Sequence, residues 1–298
     1  MAKISKHQDR TFVNEGIEIQ LPAVYDELEE SSLAAIEEGL ADYPKAYKMF
    51  NLLVADPEVR ANWDMADYIA VSKLSFNDHG EVHAKVAAAS AVKLLQLLVE
   101  AGITPDVVSS GAGDWDDAFL VVVSAALLHD IGNQVHREEH AHWGVYLALP
   151  ILNRLLPNIY SSLEKCTEIR GFILHAIHSH GVDPRPLTIE AALVAIADGT
   201  DMTKGRGRLA FDLGNVNIHT VSALSIDEVI IARGEETPVE INVLMSNSAG
   251  IFQVQETLGE KVLKGPLSGQ IAIVATTHPE EVPTDTRIVH RIKIGGRD

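Results

Sequence analysis

Apolar residues recur with the period of a helix over most of the first two thirds of the chain. Near the N-terminus, for example, Leu33, Ile36 and Leu40 fall at helical spacing. Prolines and glycine-containing turns predict where the helices begin and end. The predicted helical segments are 23–54, 63–74, 83–99, 118–128, 140–155, 164–180 and 188–202. No segment between residues 61 and 204 has the alternation that predicts a strand.

The pattern changes near Asn215. Beyond it, short segments alternate apolar and polar residues, as expected of strands that bury one face. The predicted strands are 226–232, 239–245, 271–276 and 287–294, with one helix at 250–263. The mixed, polar residues 1–20 indicate a tail or an edge element. The sequence therefore predicts a mostly α protein with three parts: an N-terminal helical extension (1–60), a helical domain (61–212) and a smaller C-terminal α+β domain (213–298).

The longest apolar run, 118–128, ends abruptly in His129-Asp130. The run is too short to cross a bilayer, which takes about 20 apolar residues, so it predicts a helix buried in a globular core. Asp114, with Asp117 three residues on, is placed to cap the start of this helix. Ionisable groups at its other end are costly unless they are paired or bind a metal, which makes His129 and Asp130 candidate ligands.

The composition and net charge limit the classes of function that we expect of this protein. The formal net charge of -18 argues against a general nucleic-acid surface, which needs clustered lysine and arginine. The single cysteine, Cys166, excludes an internal disulfide and fits a reducing cytosol. The N-terminus lacks the apolar core of a signal peptide, and no run is long enough for a membrane span, so we expect a cytoplasmic protein. Of the 13 histidines, those from His79 to His180 fall within about a third of the chain.

The segment Ala125 to Asn133, with His129-Asp130 preceded by Ala-Leu-Leu and followed by Ile-Gly, resembles the signature of the HD-domain superfamily of metal-dependent phosphohydrolases. The superfamily takes a histidine, then the pair, then a late aspartate from successive helices. This chain offers His83, His129-Asp130 and Asp198 in that order. The resemblance covers roughly residues 77–205 and implies a helical metal-binding domain. The whole chain is also similar to an uncharacterised prokaryotic subgroup with a C-terminal α/β extension.

Two residues close in sequence to these candidate ligands each have two possible interpretations. His79 competes with His83 for the first position, but we interpret it as a turn residue before the helix. Asp201 lies three residues past Asp198 and is expected on the same helix face. It is either a solvated or capping carboxylate, or a group that supports the site and protonates the leaving alkoxide.

The resemblance also implies that some members bind two metals through histidines between the pair and the last aspartate. His140 matches the histidine that starts the helix after the pair. At about 100° per residue, His180 falls near the middle of the apolar face of its helix. His175 lies at the flank of that face, and His178 is predicted to point to solvent. A core histidine bonded to a backbone carbonyl remains the alternative for His175 and His180.

Imidazoles and carboxylates around one or two divalent ions predict a hydrolytic centre. Asp130 is expected to bridge two metals or to orient the attacking water. Mn²⁺, Fe²⁺, Co²⁺, Ni²⁺ and Mg²⁺ all suit such a ligand set, whereas structural zinc is disfavoured because cysteine is missing from it. Lys204, Arg206 and Arg208 form a glycine-rich basic segment that predicts a phosphate contact, the alternative being a basic linker.

One position departs from the superfamily pattern. Asn133 stands where many members carry a lysine after Ile-Gly, so the usual lysine contact with substrate is in doubt. The sequence is interpreted as a metal-dependent phosphohydrolase of a small anionic phosphoester, such as a nucleotide, with no membrane partner and a homo-oligomeric state. The alternative is a non-catalytic nucleotide- or metal-binding regulatory module, and a third hypothesis is oxygen-dependent cleavage at a di-iron site.

Overall fold

A computed structural model describes residues 10–14, 17–21, 24–74, 76–203, 222, 224–277 and 291–295, with side chains from Leu28 onward. The predicted domain boundary near Asn215 lies outside these residues. The proposed domain limits therefore stay predictions.

The described residues of the first two thirds are almost entirely helical, and no strand lies between residues 61 and 203 within them. The helices are α1 (Val24–Gly39), α2 (Pro44–Ala55), α3 (Pro57–Asp67), α4 (Glu81–Glu100), α5 (Asp106–Ser109), α6 (Trp115–Leu128), α7 (His140–Leu155), α8 (Leu163–Ser179) and α9 (Ile189–Thr200). A π-helical turn, Tyr68–Lys73, extends α3, and 3₁₀ turns lie at Ile131–Gln134 and Leu156–Asn158. The predicted helical stretch 23–54 is broken before Pro44, which begins α2 because its missing N–H costs nothing in a first turn.

Helix α6 is the centre of the domain. Every residue from Asp117 to Leu128 is buried, and the helix packs against α2, α4, α8 and α9. A capping box between Asp114 and Asp117 starts it, as the sequence predicts. The helix stops at Leu128, and the 3₁₀ turn Ile131–Gln134 follows.

Helix α4 is the one described helix that meets the length and composition of a membrane span. The expectation that no segment is long enough therefore does not hold on length alone. Most of that stretch is buried, and α4 packs between α1, α6 and α9. Core helices of globular domains pass the same test.

The C-terminal part contains one four-stranded sheet in the order β3 (Ile226–Arg233), β4 (Val239–Met245), β5 (Ile271–Thr277), β6 (Arg291–Gly295). Strands β4 and β5 are parallel, and the outer pairs are antiparallel. The crossover between β4 and β5 holds α10 (Gly250–Gln253), the π-helical turn Val254–Gly259 and α11 (Glu260–Lys264). The predicted fold class, a helical core with a smaller C-terminal α+β unit, is confirmed.

The N-terminal residues form a two-stranded antiparallel hairpin, β1 (Arg10–Asn14) with β2 (Ile17–Leu21). The sequence indicated only a tail or an edge element there. Because the two strands are short and the residues of β1 do not alternate clearly between apolar and polar, the sequence pattern did not predict a hairpin.

Candidate metal centre

Three helices bring one group of ligand atoms together. His83 lies in the first turn of α4, His129 and Asp130 follow the end of α6, and Asp198 lies in the last turn of α9. One nitrogen or oxygen atom from each of these four side chains lies within 4.8 Å of all the others. His83 and His129 are 1% and 0% exposed, so water does not solvate this group from the histidine side.

The tautomers of both histidines are fixed by their outer nitrogens. His83 Nδ1 lies 2.6 Å from Asp201 Oδ2, and His129 Nδ1 lies 2.7 Å from the carbonyl oxygen of Ala126. Oxygen acceptors at these distances hold the proton on Nδ1, which leaves each Nε2 with a lone pair. These two Nε2 atoms lie only 3.2 Å apart. Such a convergence of acceptors fits a cation placed between them.

A second group shares Asp130 and adds His140, from the start of α7, and His180, just past α8. The same chemistry recurs here. His140 Nδ1 lies 3.0 Å from the carbonyl of Arg137, and His180 Nδ1 lies 2.7 Å from that of Ile177. The two Nε2 atoms face each other at 3.0 Å, so this pair also fits a cation.

Asp130 joins the two groups with one oxygen each. Its Oδ2 lies 3.3 Å from Nε2 of both His83 and His129. Its Oδ1 lies 3.4 Å from His140 Nε2 and 3.6 Å from His180 Nε2. If two ions were bound, a carboxylate in this position would offer one oxygen to each of them. Its backbone, at φ -102 and ψ 0, lies in the sparsely populated region between helix and strand that active-site residues often occupy.

The two glycines beside the site allow α7 to approach the turn that follows His129-Asp130. A Cβ on Gly132 would lie 1.9 Å from the carbonyl oxygen of His140, and one on Gly144 would lie 3.2 Å from that of His129. Backbone atoms cannot yield at the first distance. The Ile-Gly after the pair therefore places His140 beside Asp130 by permitting this contact.

Burial and neighbouring charges shift the pKa values of the ligands in different directions. Burial opposes ionisation of Asp130, but the charges and hydrogen bonds of nearby histidines, His129 foremost, outweigh it and hold its pKa well below the ordinary value. Burial lowers the pKa of His140 to about 3 and also lowers that of His180. For His129, burial is outweighed by Asp130 and Asp198, and its pKa is raised. A metal bound there competes with a proton.

Asp201 supports the site from behind His83. The helix α9 ends at Thr200, so Asp201 caps it instead of continuing the face of Asp198. Its carboxylate is buried and bonded to His83 Nδ1, an arrangement that orients a metal-binding imidazole. The predicted role of Asp201 as proton donor stays a prediction.

The structure does not bring His175 to either group. Its Nε2 accepts a hydrogen bond of 3.1 Å from the backbone of Leu187. His178, which was expected to point to solvent, is half-buried, and its Nδ1 is a buried atom without a hydrogen-bond partner among the described residues. The three predicted phosphate contacts, Lys204, Arg206 and Arg208, lie outside the described residues.

Three side chains near the ligands have contacts that sequence reasoning did not predict. His79 lies in the irregular segment before α4 and is buried, with its ring centroid 5.8 Å from that of His83. Asn133 donates a 2.9 Å hydrogen bond to Asp130 Oδ1 and accepts one of 3.0 Å from Arg137. Lys261, from the C-terminal unit, forms an ion pair with Asp198 Oδ2. The spacing of a lysine on an amphipathic helix contains no signal for such a contact.

Comparison with known proteins agrees with this geometry. A family model for the HD domain matches residues 108–203, which include all of these ligands except His83. The chain belongs to the HD-domain superfamily of metal-dependent phosphohydrolases. It is 41% identical over 233 residues, 78% of its length, to the uncharacterized protein MJ1020 of Methanocaldococcus jannaschii, of which it covers 90%. No solved structure matches the chain.

Proposed function

We propose that this protein is a phosphohydrolase that uses two divalent metal ions to cleave a small phosphoester, such as a nucleotide. The observation that carries the proposal is the arrangement around Asp130. Each carboxylate oxygen of Asp130 faces a separate pair of imidazole Nε2 atoms. His83, His129, Asp130 and Asp198 would hold one ion, and Asp130, His140 and His180 the other.

Divalent ions held by these residues would lower the pKa of a bound water towards neutrality and would offset negative charge on a phosphoryl oxygen. The protein's own residues supply the rest. The imidazoles of His129, His140 and His180 are held by hydrogen bonds to backbone carbonyls, and Asp130 accepts a hydrogen bond from Asn133, so little reorganisation is needed during the reaction. Asp201 accepts the Nδ1 proton of His83 in a hydrogen bond and so keeps His83 in its ligand tautomer. A carboxylate in that role has no proton to give, so protonation of the leaving alkoxide is assigned to a nearby histidine.

Asn133 and Arg137 support an anionic substrate. Asn133 is fully buried and connects the Asp130 carboxylate to the Arg137 guanidinium. The positive charge that many members place on a lysine at position 133 is therefore supplied four residues later. Arginine matches a phosphate with two parallel N–H groups. Lys204, Arg206 and Arg208 are proposed as further phosphate contacts because they follow Asp198 closely in the chain.

An exposed aromatic ring favours a nucleotide among phosphoesters. Phe76 is 43% exposed, and the Arg137 guanidinium lies 5.7 Å from its ring centroid. An aromatic face beside a phosphate-binding arginine offers a base a surface on which to stack, with a gain of about 1–3 kcal/mol.

The test is turnover by the metal-loaded protein. The protein would be loaded with each of Mn²⁺, Fe²⁺, Co²⁺, Ni²⁺ and Mg²⁺ and assayed with nucleoside mono-, di- and triphosphates and with an aryl phosphate. We expect phosphate or phosphomonoester release that is lost in His129→Ala and Asp130→Ala. In Arg137→Met we expect KM to rise at least about tenfold with a smaller change in kcat, whereas Arg170→Met, remote from the site, serves as the matched control.

Two outcomes would overturn this proposal. Protein that holds two equivalents of metal but binds nucleotides without hydrolysing any substrate would support the regulatory module. The departure at Asn133 is the feature that favours that alternative. Turnover that requires molecular oxygen and iron would instead support oxidative cleavage at the same ligands.

A further inference from the structure

The C-terminal unit places one charged side chain at the metal centre. Lys261, in the short helix α11, donates a hydrogen bond from Nζ to Oδ2 of Asp198. Its side chain is 11% exposed and that of Asp198 is 16% exposed, so the contact is largely shielded from water. Asp198 is the one hydrogen-bonding partner of this ammonium group among the residues that the structure describes.

A glycine beside Asp198 allows the close approach of Lys261. Gly199 follows Asp198, and a Cβ there would lie 3.1 Å from Lys261 Cδ and 3.1 Å from the carbonyl oxygen of Thr257. The bare glycine thus lets the π-helical turn and the stem of Lys261 cross α9 in van der Waals contact. Lys264, one turn further on, differs: it is half exposed and pairs with Glu260 on its own helix.

The two oxygens of Asp198 have separate partners. Its Oδ1 lies 3.2 Å from Nε2 of His83 and 3.7 Å from that of His129, on the side of the metal ligands. Its Oδ2 is held by Lys261. A carboxylate fixed at one oxygen presents only the other to an ion. A residue more than sixty positions away in the chain therefore constrains the orientation of Asp198.

We propose that Lys261 is a positioning residue of the metal centre and that the C-terminal α+β unit is in this way a structural part of the site. Lys261 holds Asp198 as a ligand through one oxygen. This inference rests on the metal ligands and not on the identity of the substrate, so metal binding tests it whether or not a phosphoester is hydrolysed.

The direction in which metal affinity changes when Lys261 is replaced distinguishes a positioning role from simple charge neutralisation. An ammonium group close to a bound cation repels it, so removal of the charge by itself would tighten metal binding. Loss of a residue that orients a ligand weakens metal binding, typically by about 10–100-fold. If Lys261 merely neutralises Asp198 in the metal-free protein, Lys261→Met should bind metal as tightly as wild type or more tightly. If it positions Asp198, the same variant should bind metal more weakly.

The experiment is a titration of metal-free protein with Co²⁺, followed by calorimetry and by the visible absorption of the bound ion, which reports its coordination. For Lys261→Met we expect one of two binding steps to weaken about 10–100-fold, with an altered Co²⁺ spectrum. Lys261→Arg, which keeps a charged donor, should recover most of the affinity. Lys264→Met is the matched control and should behave as wild type.

Thermal unfolding of each metal-free variant shows whether it folds. If Lys261→Met does not fold, Lys261→Gln and Lys261→Arg decide the matter, because glutamine keeps an N–H donor without the charge. We expect arginine to bind Co²⁺ more tightly than glutamine does. A methionine variant with unchanged or tighter binding, or an arginine variant that binds Co²⁺ no more tightly than the glutamine variant, would overturn the proposal.

Discussion

Buried ionisable side chains lie at both ends of α6, but the groups that surround them differ. At the N-terminal end, Asp117 is almost fully buried and is surrounded by donors from its own chain. Lys45 Nζ lies 2.5 Å from Asp117 Oδ1, Lys165 Nζ lies 3.0 Å from Oδ2, and the Tyr160 hydroxyl donates a 2.6 Å hydrogen bond. At the C-terminal end, His129 and Asp130 face other acceptors.

The difference separates a structural cluster from a binding site. Burial opposes ionisation of Asp117, but Lys45, Tyr160, the backbone of Asp114 and Lys165 together lower its pKa to about 2. At that end, donors from the protein itself compensate the negative charge of Asp117. At the other end, imidazole nitrogens and two carboxylates converge. Such a group of ligand atoms favours the binding of a cation.

The largest effect is expected where both metal positions depend on one residue. Asp130→Ala should abolish binding of both ions, because Asp130 supplies an oxygen to each ligand group. His140→Ala should remove only one ion, and His83→Ala only the other. Elemental analysis of purified protein, with added Mn²⁺, measures the stoichiometry. Two ions retained in Asp130→Ala, or none in His140→Ala, would contradict the division into two groups.

The matching change at the other end should affect folding and not metal. Asp117→Asn leaves Lys45 and Lys165 without their buried partner, and breaking such a pair costs about 3 kcal/mol of unfolding free energy. The metal content should stay at the wild-type value. Urea unfolding of the metal-free protein measures the loss. Asp64→Asn, on the exposed side of α3, is the control and should change stability little.

A smaller effect is expected in the pH dependence of the unfolding free energy, to which the ionisation of Asp117 contributes. The folded pKa of Asp117, about 2, lies below its ordinary 3.8, so the carboxylate stabilises the fold above pH 3.8. This contribution is lost as the pH falls towards 2, and the difference of nearly two pKa units corresponds to about 2 kcal/mol. The stability gap between wild type and Asp117→Asn should therefore narrow over that interval. A gap that stays constant down to pH 2 would show that the carboxylate acts through packing.

Local pattern was sufficient for the helices, and the family resemblance supplied most of the candidate ligands. The apolar run 118–128 predicted the central helix because a helix buried on all sides has no polar face. His83, His129, Asp130 and Asp198 could be proposed because the resemblance orders them. Helical phase placed His180 inward, and the structure brings it beside Asp130.

Tertiary contacts could not be predicted in the same way. Phase left His175 as a candidate, yet its ring turns to the backbone of the segment that follows α8. The exposed orientation predicted for His178 was wrong because α7 packs along that side of α8. Lys261 belongs to a part of the chain that pattern alone assigns to a separate unit, and only the packing of that unit on α9 brings it to Asp198.

The smallest expected effect tests how the metal end of α6 is supported. Asp201→Asn keeps an oxygen that accepts the His83 Nδ1 proton but removes the charge that strengthens the bond. Because such outer partners tune ligand basicity, the affinity for one ion should fall about tenfold, which is the lower end of the usual range. Calorimetric titration of metal-free protein with Mn²⁺ measures it, with Asp64→Asn as the control. Unchanged affinity would mean that the Asp201 charge does not support the His83 ligand, whereas loss of both ions would show that Asp201 holds the two metal positions together.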